Sequence, residues 1–167
     1  MTLGQDVAPP PLRPAAECPA PPAQSLLAWW QALPRSGRWP DWAAIDKRDL
    51  KPWMGWIVLY DVIDGGSDHR YRLVGSHIAE RSGLDLTGKL VSEASYTTRH
   101  DQFLIQLDRL RQAGEPAWIN AVTSTARGYS AVHDRLCLPF ANGGTNLAIW
   151  LFYVCGDEIL VDPYRRG

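Results

Sequence analysis

Two runs in this chain leave no face for water. They are Trp56-Ile57-Val58-Leu59-Tyr60-Asp61-Val62 and Leu147-Ala148-Ile149-Trp150-Leu151-Phe152-Tyr153. Successive residues of a strand point to opposite sides, so a strand that is apolar at nearly every position must be covered on both faces and lie in the middle of its sheet. The two runs stand at opposite ends of the patterned sequence, so the centre of the sheet joins an early segment to the last one. Asp64-Gly65-Gly66-Ser67-Asp68 reads as a turn, and residues 69–75 return antiparallel to the first run as a hairpin. Trp118 to Thr125 alternates, Gly128 allows a turn, Tyr129 to Phe140 alternates again, and Asn142-Gly143-Gly144 signals another hairpin.

Helical patterns fall before and between these strands. Ser25 is placed to cap Leu26 to Leu33, which Pro34 and Gly37 end; Leu26, Trp30 and Leu33 share one face. So wide an apolar surface needs a cover, either the chain's own core or the same helix of a second copy in a homodimer. Asp46 to Leu50 suggests a short second helix. Thr98-Arg99-His100-Asp101 resembles a capping box, followed by Phe103, Leu107 and Leu110 on one face and a stop at Gly114 and Pro116. The expected fold is α+β: a five-stranded antiparallel sheet of order 2-1-5-4-3, with helices packed on one face and an N-terminal helix.

Seven of the 13 prolines lie in the first 22 residues, so residues 1–24 are expected to be a disordered tail, with the domain at 25–157 and a C-terminal tail at 158–167. A net charge of -1 offers no broad attraction to nucleic acid or to an anionic membrane. Cys18, Cys137 and Cys155 form neither a disulfide framework nor a C-x-x-C motif. With no signal-peptide pattern and no apolar run near the ~20 residues of a membrane span, the expected location is cytoplasmic.

Arg70-Tyr71-Arg72-Leu73-Val74-Gly75-Ser76, Gly83-Leu84-Asp85-Leu86-Thr87-Gly88-Lys89 and Arg135-Leu136-Cys137-Leu138-Pro139-Phe140 with Gly143-Gly144 carry a resemblance. Together with the strand order they resemble a PAS domain, of the bacterial type found as single-domain proteins in alphaproteobacteria, over roughly residues 26–156. Where that family tends to have Asp-Pro before its first strand, this chain has Asp46-Lys47. The resemblance implies a sensory or regulatory module in signal transduction rather than an enzyme. It also implies a pocket between sheet and helices, and it names no ligand. Because the chain ends soon after its last strand, output is expected through an unidentified signalling protein or a homodimer.

The chemistry-bearing residues add little to this. His69, His77, His100 and His133 have no zinc-like spacing. His100 stands near the start of the long helix, the element that supplies the haem ligand in haem-binding PAS domains, but its place beside Arg99 and Asp101 suits an exposed residue, and haem is disfavoured. No flavin-photosensor run with a reactive cysteine is present, so the cofactor stays unknown. No metal site is expected, and no catalytic residue is assigned.

Gly75, Gly83 and Gly88 form no phosphate loop; they fit positive φ or close packing at helix ends. Arg72 could hold a carboxylate or pair with Asp61 or Asp64. The expected ligand-binding set is Tyr71, Arg72, Leu73, His100, Phe103, Leu107, Trp118 and Trp150, joined as lining by Val122, by Phe152, and by Ile57 and Leu59 or their neighbours. Such a pocket suits a small apolar or aromatic molecule. Two other readings compete: a small α+β-cone enzyme using His100 and Asp101, and a scaffold whose core is filled by its own side chains.

Overall fold

In the computed structural model, which describes residues 9–94, 100–124 and 130–161, nine elements follow in order. They are β1 (Arg13–Pro14), α1 (Pro21–Ala32), β2 (Ile57–Ile63), β3 (Asp68–Val74), α2 (Ser76–Ser82), α3 (His100–Ala113), β4 (Ala117–Ser124), β5 (Ser130–Phe140) and β6 (Ile149–Val161), with short 3-10 turns between them. All strand pairs are antiparallel, in one sheet of order β1-β4-β5-β6-β2-β3.

The expectation of five strands is corrected to six. The additional strand is β1, two residues that pair Arg13 with Trp118 and Pro14 with Ala117 at the free edge of β4. Residues 9–24 are therefore not a disordered tail. Proline removes a backbone donor, and that loss is tolerated on an edge strand. Arg13 also lays its guanidinium over the Trp118 ring, 5.2 Å from the centroid. At the other end β6 runs on to Val161, past the expected limit of residue 157.

The two apolar runs are central, β2 between β3 and β6, and β6 between β2 and β5. Their alternation builds two cores. Ile57, Leu59, Ile149, Leu151 and Tyr153 face α1. Val58, Tyr60, Trp150 and Phe152 face α3. Helices thus cover both faces of the sheet, and the N-terminal helix shares its face with the 3-10 turns that carry Trp42 and Leu50. It starts at Pro21, four residues before the expected Ser25, with proline at its first positions where the missing donor costs no hydrogen bond. Leu26, Leu27 and Trp30 are buried on the chain's own sheet, and the Trp30 indole donates to the Pro139 carbonyl at 2.9 Å. The capping box expected at Thr98 and the turn at Gly128 fall outside the described residues.

Between Leu59 and Tyr60 the β2–β3 register slips: Leu59 opposes Leu73, Tyr60 opposes Tyr71, and Arg72 is the residue left over. The bulge puts Tyr71 and Leu73 on opposite faces, although they share parity in the sequence. Beyond it, Leu86-Thr87-Gly88-Lys89 wraps the outer edge of β3. Gly88 N–H donates to the Tyr71 carbonyl at 2.6 Å, Tyr71 N–H to the Lys89 carbonyl at 2.9 Å, and Val74 N–H to Thr87 Oγ1 at 3.2 Å. An exposed edge is thereby closed by the chain itself.

Gly75 ends β3 with φ −59°, so it is not the positive-φ position that would by itself require glycine. What requires it is proximity: a Cβ there would overlap the carbonyl group of Gly55 and stand 2.7 Å from the Met54 carbonyl oxygen. Gly75→Ala is expected to destabilise by ~1–3 kcal/mol, and Gly75→Val by more, because backbone atoms cannot rotate aside. Trp150→Ala, at a side chain with no exposed surface, is expected to cost ~3–5 kcal/mol. Denaturant melts of the three variants check these figures.

Candidate functional site

Between the sheet and α3 lies a cluster of aromatic rings with Tyr60 at its hub. The Tyr60 ring centroid is 5.0 Å from that of Tyr71, 4.9 Å from Phe152 and 5.9 Å from Phe103. Phe103 meets Phe152 edge-on at 6.4 Å, and Phe152 meets Trp150 at 6.4 Å. Sequence pattern explains the set. Tyr60 and Trp150 oppose each other in the β2–β6 ladder, and Phe103 and Leu107 recur at the four-residue spacing of one helix face.

One cation enters this apolar group. Arg135, on β5 with Cys137, points away from Leu136 and Leu138, and its guanidinium stands over the Phe103 ring at 5.6 Å. Its Nε is buried and has no hydrogen-bond partner among the described residues, and the same holds for the indole Nε1 of Trp150. Arg135 also pairs with no carboxylate among the described residues. Both orphaned atoms are donors. Buried donors cost free energy until they meet an acceptor.

The surroundings fix the protonation of the neighbours. Burial pushes the Tyr60 hydroxyl well above the usual phenol range, with Tyr71 adding to the rise and Arg135 opposing it. Burial likewise raises Tyr71 against the pull of Arg135, and it raises the Cys137 thiol, again opposed by Arg135. Among the described residues the cluster therefore presents neutral hydroxyls and the positive charge of Arg135, a combination suited to holding an anion or a strong acceptor beside aromatic rings.

Of the residues expected to bind ligand, Tyr71, Phe103, Leu107 and Trp150 meet here. Leu73 does not, because the bulge at Arg72 turns it toward α1. Arg72 stands in a surface ion pair with Asp61 at 2.8 Å, its side chain 41% exposed. Trp118 packs on the α1 side and donates to Asp134 Oδ1 at 3.4 Å; it anchors β1 rather than lining the cluster.

Ile57 and Leu59 face α1 as well, one residue out of phase with the lining expected of them. Val122 lies on β4, where its backbone pairs with Val132. His100 is half-buried at the first position of α3, and Asp101 beside it is exposed. Adjacent helical residues do not face each other, so the two form no catalytic dyad. Val58 and Tyr60, the neighbours of Ile57 and Leu59 that the sequence left open as the alternative, are the ones that face α3, whereas sequence reasoning missed Arg135. The signal for Arg135 was available, since its parity sets it apart from Leu136, Leu138 and Phe140.

Among the described residues, no group of three or more His, Cys, Asp or Glu side chains could hold a metal ion, and no helix is long and apolar enough to cross a membrane. A family model described as a PAS domain matches residues 19–149. No curated protein matches the chain.

Next to the cluster on β3, His69 is 4% exposed and its Nε2 has no hydrogen-bond partner among the described residues. Burial lowers its pKa from 6.5; Asp68 and Asp108 act against that shift and Arg111 with it. The folded state thus favours neutral imidazole, while the unfolded chain takes up a proton at the ordinary value. This contribution to stability is present above pH 6.5 and is lost as the pH falls below it. Urea melts from pH 7.5 to about 5 should show stability declining with acidity, and His69→Leu should flatten that slope. An unchanged slope in the variant would show that another group carries it.

Proposed function

The chain belongs to the PAS domain family, and on that premise we propose that it is a non-catalytic sensory or regulatory module whose aromatic cluster binds a small, flat, apolar molecule bearing an anionic or strongly accepting group. One observation carries the reading. Arg135 brings to the face of Phe103 a guanidinium that meets no carboxylate among the described residues, its buried Nε without a hydrogen-bond partner there, beside the rings of Tyr60, Tyr71 and Phe152. A cation held against aromatic surface in low dielectric is a strong partner for a carboxylate. The rings would supply affinity through buried area, and the guanidinium would select for charge.

Occupancy would act on α3, because Phe103 and Leu107 are its contribution to the cluster. A ligand that binds one position of α3 better than another shifts the population between them, and a signalling partner could read that shift on the helix surface, where Ile105 is 45% exposed. The competing reading, a scaffold filled by its own side chains, draws on the complete burial of Trp150 and near-complete burial of Phe152. The two differ in what Arg135 is for.

Binding of 1-naphthoate and of its uncharged analogue 1-naphthalenemethanol, followed by tryptophan fluorescence and thermal shift, separates them. The naphthoate should bind about tenfold or more tightly, the worth of a charge-assisted hydrogen bond. Arg135→Met should remove that preference while leaving the alcohol's affinity unchanged. Equal affinities in the wild type, or no binding of either, would favour the filled scaffold.

A further inference from the structure

On the α1 face of the sheet, two thiols confront each other. Cys18 Sγ lies 3.5 Å from Cys155 Sγ, and all three cysteines are free. Cys18 closes the 3-10 turn Ala15–Glu17 just before α1 and is 1% exposed. Cys155 is half-buried on β6. The β5–β6 ladder slips here: Asp134 opposes Gly156 and Arg135 opposes Val154, so Cys155 is the residue left over. Its thiol donates to the Asp134 carbonyl at 3.2 Å. A bulged residue is freed from the ladder, so its side chain and backbone can shift without breaking strand pairing.

We infer that Cys18 and Cys155 form a reversible disulfide that latches the N-terminal segment to β6. A disulfide needs its sulfurs about 2.05 Å apart, so the pair must close by about 1.5 Å, within reach of small rotations at the bulge. The oxidant is a low-molecular-weight disulfide, RSSR. Cys155, the more exposed thiol, loses its proton and attacks one sulfur of RSSR. The S–S bond breaks, and the departing RS⁻ takes up a proton as RSH. Cys18 then loses its proton and attacks the Cys155 sulfur of the mixed disulfide, expelling the second RS⁻, which is also protonated. Two protein thiols are oxidised to one disulfide, and RSSR is reduced to two RSH.

Burial holds the Cys155 thiol above its usual range, and Cys18 beside it adds to that. Thiolate is therefore scarce at neutral pH, and the exchange should quicken as the pH rises. The third cysteine, Cys137, is buried in the α3-facing core and belongs to the other side of the sheet.

The latch would govern a large surface. The segment from β1 through α1 covers Leu59, Leu136, Leu138 and Leu151. A bond joining positions 137 apart in sequence would hold that cover in place, and reduction would leave it held by packing alone. The inference is independent of ligand binding near Arg135, which lies on the opposite face.

The test uses the full chain, incubated with oxidised glutathione across a range of pH, alkylated and mapped by mass spectrometry. The expected product is one linked peptide joining Cys18 to Cys155, with Cys137 alkylated as a free thiol. The melting temperature should rise by about 5 °C or more and return on treatment with dithiothreitol. Cys137→Ser should keep both effects, and Cys18→Ser and Cys155→Ser should each lose both. Glutathione retained on Cys155, a linkage through Cys137, three free thiols at every pH, or a linked product with an unchanged or lower melting temperature would each overturn the inference. The oxidised and reduced wild-type comparison needs no substitution and so does not depend on how a variant folds.

Discussion

The structure depends on a sheet whose middle cannot face water on either side. β2 and β6 pair Ile57 with Tyr153, Leu59 with Leu151 and Tyr60 with Trp150, and each strand alternates large apolar groups to both faces. One layer of helix would leave half of that surface exposed. The chain answers with α1 on one face and α3 on the other, so the N-terminal segment is a structural layer rather than an appendage. Its proline content confines it to an edge strand and a helix start, the two places where a missing backbone donor costs least.

The central strands, their burial on both faces and the hairpin at Asp64–Gly66 were legible because each rests on short-range pattern. Asp64 and Gly65 take positive φ there, as a tight turn between antiparallel strands asks. The R-Y-R-L-V-G and L-T-G-K motifs proved to be partners: the second hydrogen-bonds along the edge of the first at Tyr71. What the sequence hid was the bulge. A single extra residue at Arg72 reverses the parity of everything beyond it, and strict alternation then assigns Leu73 to the wrong face. The ordering of residues 9–24 was hidden for a different reason. Composition predicts disorder when a segment has too little to bury, but this one borrows a sheet face and the ring of Trp118 from the rest of the domain.

The candidate site shows the same division. Phe103, Leu107 and Trp150 could be found by helix spacing and strand parity. Arg72, which the sequence offers as a carboxylate holder, lies outside the site. Arg72 is neutralised by Asp61 at the surface, where an ion pair is worth little. Arg135 sits inside an alternating strand, where sequence pattern sets its parity but does not alone mark it out, and it is the arginine that stands over Phe103. A guanidinium matters by its surroundings more than by its presence, since the field of one charge grows as water is removed from around it.

Tyr60 and Tyr71 sharpen that argument. Burial keeps both phenols protonated far above neutral pH, so neither supplies a negative charge to satisfy Arg135. Cys137, also held as a thiol, supplies none either. Among the described residues the cation thus meets no carboxylate, and Phe103 offers it a ring face. A ring face offers a cation roughly 0.5–2 kcal/mol, whereas a hydrogen bond to a charged group is worth about 1.5–3 kcal/mol. A carboxylate placed beside Phe103 would therefore gain more from Arg135 than the protein's own side chains give it. On the proposed reading, that difference would give the aromatic core its preference for a charged ligand.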